Sequence, residues 1–209
     1  MKVLNLYAGI GGNRKLWTDV EVTAVENNQD IATIYKEFFP DDTVITDDAH
    51  KYMLEHYKEY DFIWSSPPCQ SHSVCNYFLK GQGIIRFPDM KLYEEIIFLQ
   101  QIYNSNGCDF NGQYCVENVI SYYEPLIKPI ELHRHYFWSN FHITKDNFDC
   151  DRIHHVSIPI KEAELGIDLT NFNSIRKDKL LRNCVNPKVG LHIFDCAFKF
   201  QQNTLELVE

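Results

Sequence analysis

The chain has 209 residues, 44% of them hydrophobic, and a formal net charge of −9; this suits one α/β domain with a buried core and, at face value, argues against a nucleic-acid partner. Its seven cysteines are scattered and form no CxxC pair, which speaks for a reducing compartment rather than a disulfide framework. No apolar run approaches the roughly 20 residues that span a bilayer and there is no basic-then-apolar leader, so a cytoplasmic protein with no membrane partner is expected.

Short apolar runs alternate with amphipathic stretches through the first half, the pattern of βαβ units on a parallel sheet. Residues 3–7 read as the first strand. Glycines at 9, 11 and 12 follow, where the backbone can turn tightly and approach a ligand. A helix N-terminus after them would suit an anionic group, although GxGG does not have the spacing of a dinucleotide fingerprint. Residues 22–25 read as a second strand ending at Glu26, the usual place for a carboxylate that grips ribose hydroxyls. Together the glycines and Glu26 suggest a cofactor built on adenosine; the plainer reading of Glu26 is an exposed loop acid.

A helix is expected over 31–39, a short strand over 43–45, a helix including 52–57 and a strand over 62–64. Directly after that strand comes Ser65-Ser66-Pro67-Pro68-Cys69-Gln70. Two consecutive prolines fix φ twice and remove two donors, so Cys69 is presented with few conformations to lose. A structural turn would read the same way in isolation. Apolar residues at 92, 93, 96, 97, 99, 102 and 103 mark a helix over 90–103, and 114–116 a fifth strand leading to Glu117. Beyond 131, residues 135–138 and 141–143 look like strands joined at Ser139-Asn140. Residues 144–175 are polar and irregular, a last helix is expected over 187–200, and the final nine residues read as a loose end.

In an open α/β sheet, ligands bind at the carboxyl ends of the strands. The glycine loop, Glu26, Cys69 and Glu117 all fall at such ends. In order along the chain, Leu6-Tyr7-Ala8-Gly9-Ile10-Gly11-Gly12, Pro67-Pro68-Cys69-Gln70, Glu117-Asn118-Val119 and Asn183-Cys184-Val185-Asn186-Pro187 resemble the motifs of DNA (cytosine-5) methyltransferases. The resemblance covers nearly the whole chain. It implies a doubly wound, mostly parallel α/β sheet that binds S-adenosylmethionine, with a small C-terminal recognition lobe and double-stranded DNA as substrate. It also admits a restriction endonuclease acting on the same site as a partner.

What the resemblance implies residue by residue is consistent with the chemistry. C5 of cytosine is a poor nucleophile; a thiolate added at C6 makes the ring an enamine that can attack a sulfonium methyl. Cys69 would be that nucleophile and needs an ionised thiol. Glu117 would protonate or hydrogen-bond N3 and hold the exocyclic amine. Arg134, like the second arginine of the family's Arg-x-Arg motif, would bind the cytosine O2 or a phosphate; Leu132 stands where the family has the first arginine, and His133 and His135 could share the role. Around the cofactor the resemblance places Tyr7, Gly9 and Gly11, Glu26 on the ribose, Asp48 on the adenine amine with Asp47 as its rival, then Pro68, Leu92, Asn183 and Val185. Because a duplex cytosine is stacked, it must be flipped out, and Gln70, Ser71, His72 and Ser73 would meet the backbone of the flipped nucleotide. Cys75 is read as structural. Cys150, His154 and His155 are too few and too poorly spaced for zinc, so no metal is expected.

Residues 1–138 are read as the catalytic and cofactor-binding domain, 139–181 as a small target-recognition region, and 182–209 as a helix returning to the catalytic domain. So small a region offers few base-edge contacts, which implies a short or relaxed recognition sequence and fits a phage or mobile-element enzyme. Residues 1–120 hold 9 Lys and Arg against 17 Asp and Glu, whereas 121–209 hold 11 against 12. The densest basic stretch is Arg176-Lys177-Asp178-Lys179 with Arg182 and Lys188, either a solvated helix face or a phosphate contact. The competing functions are an RNA cytosine-5 methyltransferase, a nucleotide enzyme of the thymidylate-synthase kind, and a catalytically inactive DNA-binding or specificity module.

Overall fold

The computed structural model describes residues 1–104, 110–146, 148, 156–172 and 176–205. Within them, strands β1 (Lys2–Leu6), β2 (Glu21–Val25), β3 (Thr43–Ile45), β4 (Phe62–Ser65), β5 (Gln113–Val119), β6 (Ile130–Leu132) and β7 (His135–Ser139) form one sheet in the order β3-β2-β1-β4-β5-β7-β6. The first five are parallel, and β7 runs antiparallel to both neighbours. The helices are α1 (Gln29–Phe38), α2 (Ala49–His56), α3 (Asn76–Gly81), α4 (Lys91–Asn104), α5 (Ile158–Leu165), α6 (Lys177–Asn183) and α7 (Pro187–Leu205), with a 3-10 turn at Tyr57–Glu59.

Alternation along each strand builds two cores. Leu4, Leu6, Ile63 and Val116 point to one face, under Met53 of α2 and Leu92, Ile96 and Leu99 of α4. Val3, Phe62, Trp64, Cys115 and Phe137 point to the other, under Val189, Ile193, Phe194 and Ala197 of α7. Both faces of the central strands are therefore covered, which explains their near-continuous apolar runs. This is the doubly wound, mostly parallel α/β sheet expected of an S-adenosylmethionine-dependent methyltransferase.

The chain departs from expectation after β5. The partner of 135–139 is not 141–143 but β6, which lies before it and pairs Leu132 with His135. The turn is at His133 and Arg134, with His133 in the left-handed region at φ 56°. Asn140 does not turn a hairpin. Its side chain accepts from Tyr114 N (2.8 Å) and donates to the Gly112 carbonyl (3.1 Å), stitching the end of β7 to the start of β5. Residues 156–172 and 176–183 are also more regular than their polarity suggests. A proline in the first turn opens α5, and Gly166, left-handed at φ 61°, closes it. Leu165, Ile167, Leu169, Leu180 and Leu181 then pack on Ile10 of the glycine loop and Ile34 of α1. The last helix continues to Leu205, past the expected end at 200. No helix is long and apolar enough to cross a membrane among the described residues.

Two glycines let α7 and its lead-in press against the glycine loop. A Cβ on Gly12 would lie 2.6 Å from the Val185 carbonyl oxygen, and one on Gly190 would lie 2.3 Å from the Asn13 carbonyl oxygen. Both obstacles are backbone, so neither can swing aside. Gly190→Ala is expected to destabilise the protein by about 1–3 kcal/mol, the range for overpacking a tight contact. Urea denaturation measures it, and an unchanged midpoint would mean that the two segments do not meet this closely.

Candidate active site

Cys69 follows β4 on a loop whose prolines cannot donate backbone hydrogen bonds, so its anchors must come from elsewhere. The Trp64 indole donates to Ser66 Oγ (2.8 Å), and the Ser66 side chain is hydrogen-bonded to Glu117 of β5. The Asn118 amide donates to the Pro67 carbonyl (2.9 Å). Two consecutive residues of β5 thus hold the two residues that lead into Pro68 and Cys69. After the cysteine the loop curls back: the Cys69 carbonyl accepts from His72 N and Ser73 N, both at 3.0 Å. His72 is 1% exposed; its Nδ1 lies 2.6 Å from Tyr123 Oη, and its carbonyl accepts from Tyr122 N (2.9 Å). Asn76 of α3 donates to the Gln70 carbonyl (3.0 Å). Cys69 itself is half-buried while Gln70 is exposed. Ser71 Oγ accepts from Asp89 N (3.1 Å) and Ser73 Oγ from Cys75 N (3.3 Å).

Glu117 is buried, and desolvation pushes its carboxyl up to about 7, opposed by Ser66 and by the charge of Arg134. His135 Nε2 stands 3.6 Å from its Oε1. Arg134 and His135 arrive through the β6–β7 hairpin, since β7 pairs with β5 along Glu117–Val119. Burial, then the Glu117 charge, pushes the Cys69 thiol up to about 11; Lys179 of α6 acts in the opposite direction. The structure therefore brings Cys69, Glu117 and Arg134 into one electrostatic neighbourhood across β4, β5 and the hairpin, with a cation from α6 at its edge.

The proposed cofactor residues gather at the ends of β1 to β3. Glu26 is no exposed loop acid: it is 8% exposed, its Oε2 accepts from Gly9 N (3.1 Å) and its Oε1 from Asn28 N (2.9 Å). Tyr7 and Gly9 both have positive φ, 55° and 56°, and a Cβ on Gly9 would enter open space, unlike those on Gly11 and Gly12. An open cradle bounded by a glycine backbone, an aromatic ring and a fixed carboxylate suits the methionine end and ribose of an adenosyl cofactor. Asp48 caps α2, its Oδ1 accepting from His50 N (2.9 Å) and Lys51 N (3.2 Å), while Asp47 Oδ1 accepts from Asp48 N (2.7 Å). Leu92 is buried on α4 beside Tyr7. Pro68 is exposed. Val185 reaches the glycine loop by its carbonyl beside Gly12, and Asn183, exposed, ends α6 just before it.

Several residues carry this geometry without having been singled out. Asn118 belongs to a quoted motif yet had no role; an amide beside the buried Glu117 carboxyl, facing a donor-free prolyl loop, is the signal. Glu95 sits in the apolar stripe of α4, where a carboxylate announces buried partners. Lys179 was marked only as part of the densest basic stretch, with nothing tying it to Cys69. Among the described residues, no group of three or more His, Cys, Asp or Glu side chains could hold a metal; Cys150, His154 and His155 lie outside those residues.

Residues 1–86 match the model of the C-5 cytosine-specific DNA methylase family. That span takes in Tyr7, Gly9, Glu26, Asp48 and Cys69, whereas Glu117, Arg134 and Asn183 lie beyond it. Among solved structures, a putative DNA modification methyltransferase encoded within an E. coli prophage is 18% identical over 58% of this chain and 32% of its own, with a TM-score of 0.38. A variant of Spodoptera frugiperda DNMT2 is 26% identical over 56% of this chain and 35% of its own, with a TM-score of 0.35. Entamoeba histolytica EhMeth is 16% identical over 76% and 62%, with a TM-score of 0.44. The chain thus covers less than two thirds of each. No curated protein matches it.

A thiol held near 11 is ionised to only about one part in a thousand at pH 8. Iodoacetamide should therefore alkylate the exposed Cys75 first. The Cys69 rate should climb about tenfold per pH unit between pH 7 and 10. Glu117→Gln removes the neighbouring negative charge and should raise the Cys69 rate at pH 8. Peptide mass spectrometry follows both sites; a Cys69 rate already on its plateau at pH 8 would contradict the desolvated thiol.

Proposed function

We propose that this chain, whose residues 1–86 match the model of the C-5 cytosine-specific DNA methylase family, is a DNA cytosine-5 methyltransferase acting through a covalent bond between Cys69 and C6 of a flipped cytosine. The observation that carries this reading is the joint anchoring of Cys69 and Glu117 on the neighbouring strands β4 and β5. S-adenosylmethionine, when bound, supplies the methyl group as a sulfonium electrophile. Tyr7, Gly9, Gly11, Glu26, Asp48, Pro68, Leu92, Asn183 and Val185 would hold it.

The chain's own residues do the rest. The Cys69 sulfur adds to C6 and pushes the ring's electron pair towards N3. Glu117, poised near neutrality, holds its proton where that charge arrives, and a preorganised donor at a developing charge is the strongest lever such a site has. Arg134 balances the carboxylate and is placed to bind the cytosine O2 or a phosphate. Loss of the C5 proton later returns the electron pair, breaks the C6–S bond and frees the thiol. Gln70, Ser71 and Ser73, just past Cys69, would meet the flipped nucleotide's backbone. An acidic protein that docks on phosphates must concentrate its cations, and α6 does so with Lys177, Lys179 and Arg182, Lys179 lying within electrostatic reach of Cys69.

Fluorine at C5 blocks the final elimination, so 5-fluorocytosine DNA with S-adenosylmethionine should give a denaturation-resistant adduct on Cys69. Cys69→Ser should give none. An adduct formed with 5-fluorocytosine tRNA but not with DNA would assign the RNA reaction instead, and none with either would leave a binding module. Bisulfite sequencing of DNA methylated in vitro should show short or relaxed contexts; one clean six-base motif would overturn that specificity.

A further inference from the structure

One carboxylate ties together β1, β4, α2 and α4 beside the proposed cofactor pocket. Glu95 of α4 is wholly buried. Its Oε1 accepts from Tyr7 Oη at 2.5 Å and meets His50 Nδ1 at 3.0 Å, and its Oε2 accepts from Ser65 Oγ at 2.6 Å. Tyr7 leaves β1, Ser65 ends β4, and His50 lies in the first turn of α2, two residues after Asp48. Leu92 is one helical turn before Glu95 on α4. Burial and the Glu95 charge hold the Tyr7 phenol well above its ordinary range, so it stays a neutral donor, while the hydrogen bond to Glu95 raises His50.

Stability alone does not account for this arrangement. A carboxylate in the apolar stripe of a helix is costly to desolvate even when it is well partnered. Leucine at 95 over phenylalanine at 7 would cover the same surface without that cost. What the carboxylate adds is direction. Tyr7 is a non-glycine residue in the left-handed region, a conformation that persists only where surroundings enforce it. Its hydroxyl tether sets where the ring stands, and the ring stands two residues before Gly9, whose α-carbon faces the open cradle.

We infer that Glu95 is a positioning residue for cofactor recognition: through Tyr7, Ser65 and His50 it fixes the Tyr7–Gly9 turn that would receive an adenosyl ligand. This rests on the proposed cofactor reading. The ligand class is an S-adenosyl amino acid, and S-adenosylhomocysteine is the probe, titrated calorimetrically into the full chain and into Tyr7→Phe, Glu95→Gln and Glu95→Ala.

Tyr7→Phe loses one buried hydrogen bond and should weaken binding about 5- to 10-fold; Glu95→Ala should weaken it more than about tenfold. Glu95→Gln should stay within about threefold of the unaltered chain, because the amide oxygen still accepts from Tyr7 while the Ser65 hydroxyl reverses to accept from the amide nitrogen. In turnover, the loss should appear in KM for S-adenosylmethionine and leave kcat within about twofold. Equal affinity in Tyr7→Phe and the unaltered chain overturns the inference, whether or not Glu95→Ala folds. So does a loss of kcat and melting temperature together, the mark of a merely structural residue. If the unaltered chain binds no S-adenosylhomocysteine, the cofactor reading itself falls and this inference with it; binding without discrimination among the variants removes only the inference.

Discussion

A segment of consecutive prolines cannot hydrogen-bond outward through its own N–H groups, so whatever fixes it must approach its carbonyls and its flanking side chains. This constraint governs the centre of the molecule. The loop after β4 is held by Asn118 on the Pro67 carbonyl and by Ser66 shared between Trp64 and Glu117. Both outside anchors are neighbours on β5. The stiffness of the cysteine loop and the placement of the buried carboxyl are therefore one feature. Any shift of β5 relative to β4 would carry the Cys69 loop with Glu117 through these shared anchors.

That shared anchoring also sets the electrostatics. Thiolate and carboxylate each disfavour the other's charge, and burial disfavours both. A site built this way keeps its thiol protonated near neutral pH while the carboxyl stands near its midpoint. Addition of sulfur to a pyrimidine carries negative charge away from the cysteine and onto the ring, towards whatever group faces N3, so the repulsion that suppresses the resting thiolate does not oppose the adduct in the same measure. Arg134, delivered by the short β6–β7 hairpin, and Ser66 keep the carboxyl from rising further, and His135 stands 3.6 Å from it. The antiparallel return of β7 is what allows residues far along the chain to reach β5 at all.

The sheet was legible because its signal is local. Two-residue alternation and apolar runs marked β1 to β5 within a few residues, and β3 to the residue. The hairpin was misplaced because Ser139-Asn140 has the composition of a turn, yet Asn140 spends both ends of its amide on the start of β5. The turn that does form uses His133 in a left-handed conformation, which only the fold enforces. Polar composition likewise hid α5, although its proline and glycine bracket it. Cys69, Glu117 and Glu26 were legible because reactive side chains at strand ends are few. Glu95 was overlooked: its place in the helical stripe announced buried partners, but only the fold shows them converging from β1, β4 and α2.

The segment before Asn183 is pulled in two directions by its own packing. Leu165, Ile167, Leu169, Leu180 and Leu181 are committed to Ile10 and Ile34, under the glycine loop and α1. Lys161 is buried with them, paired to Asp178, which also holds Arg182 at 2.8 Å. Residues committed to this core cannot also reach base edges. What α6 leaves on the outside is Lys179 and Arg182, with Arg176 before it, a cationic surface. Because α6 runs directly into Asn183 and the extended approach to Gly12, a shift of α6 would be felt at the glycine loop. The same few hydrophobic contacts therefore align the cationic face of α6 with that loop.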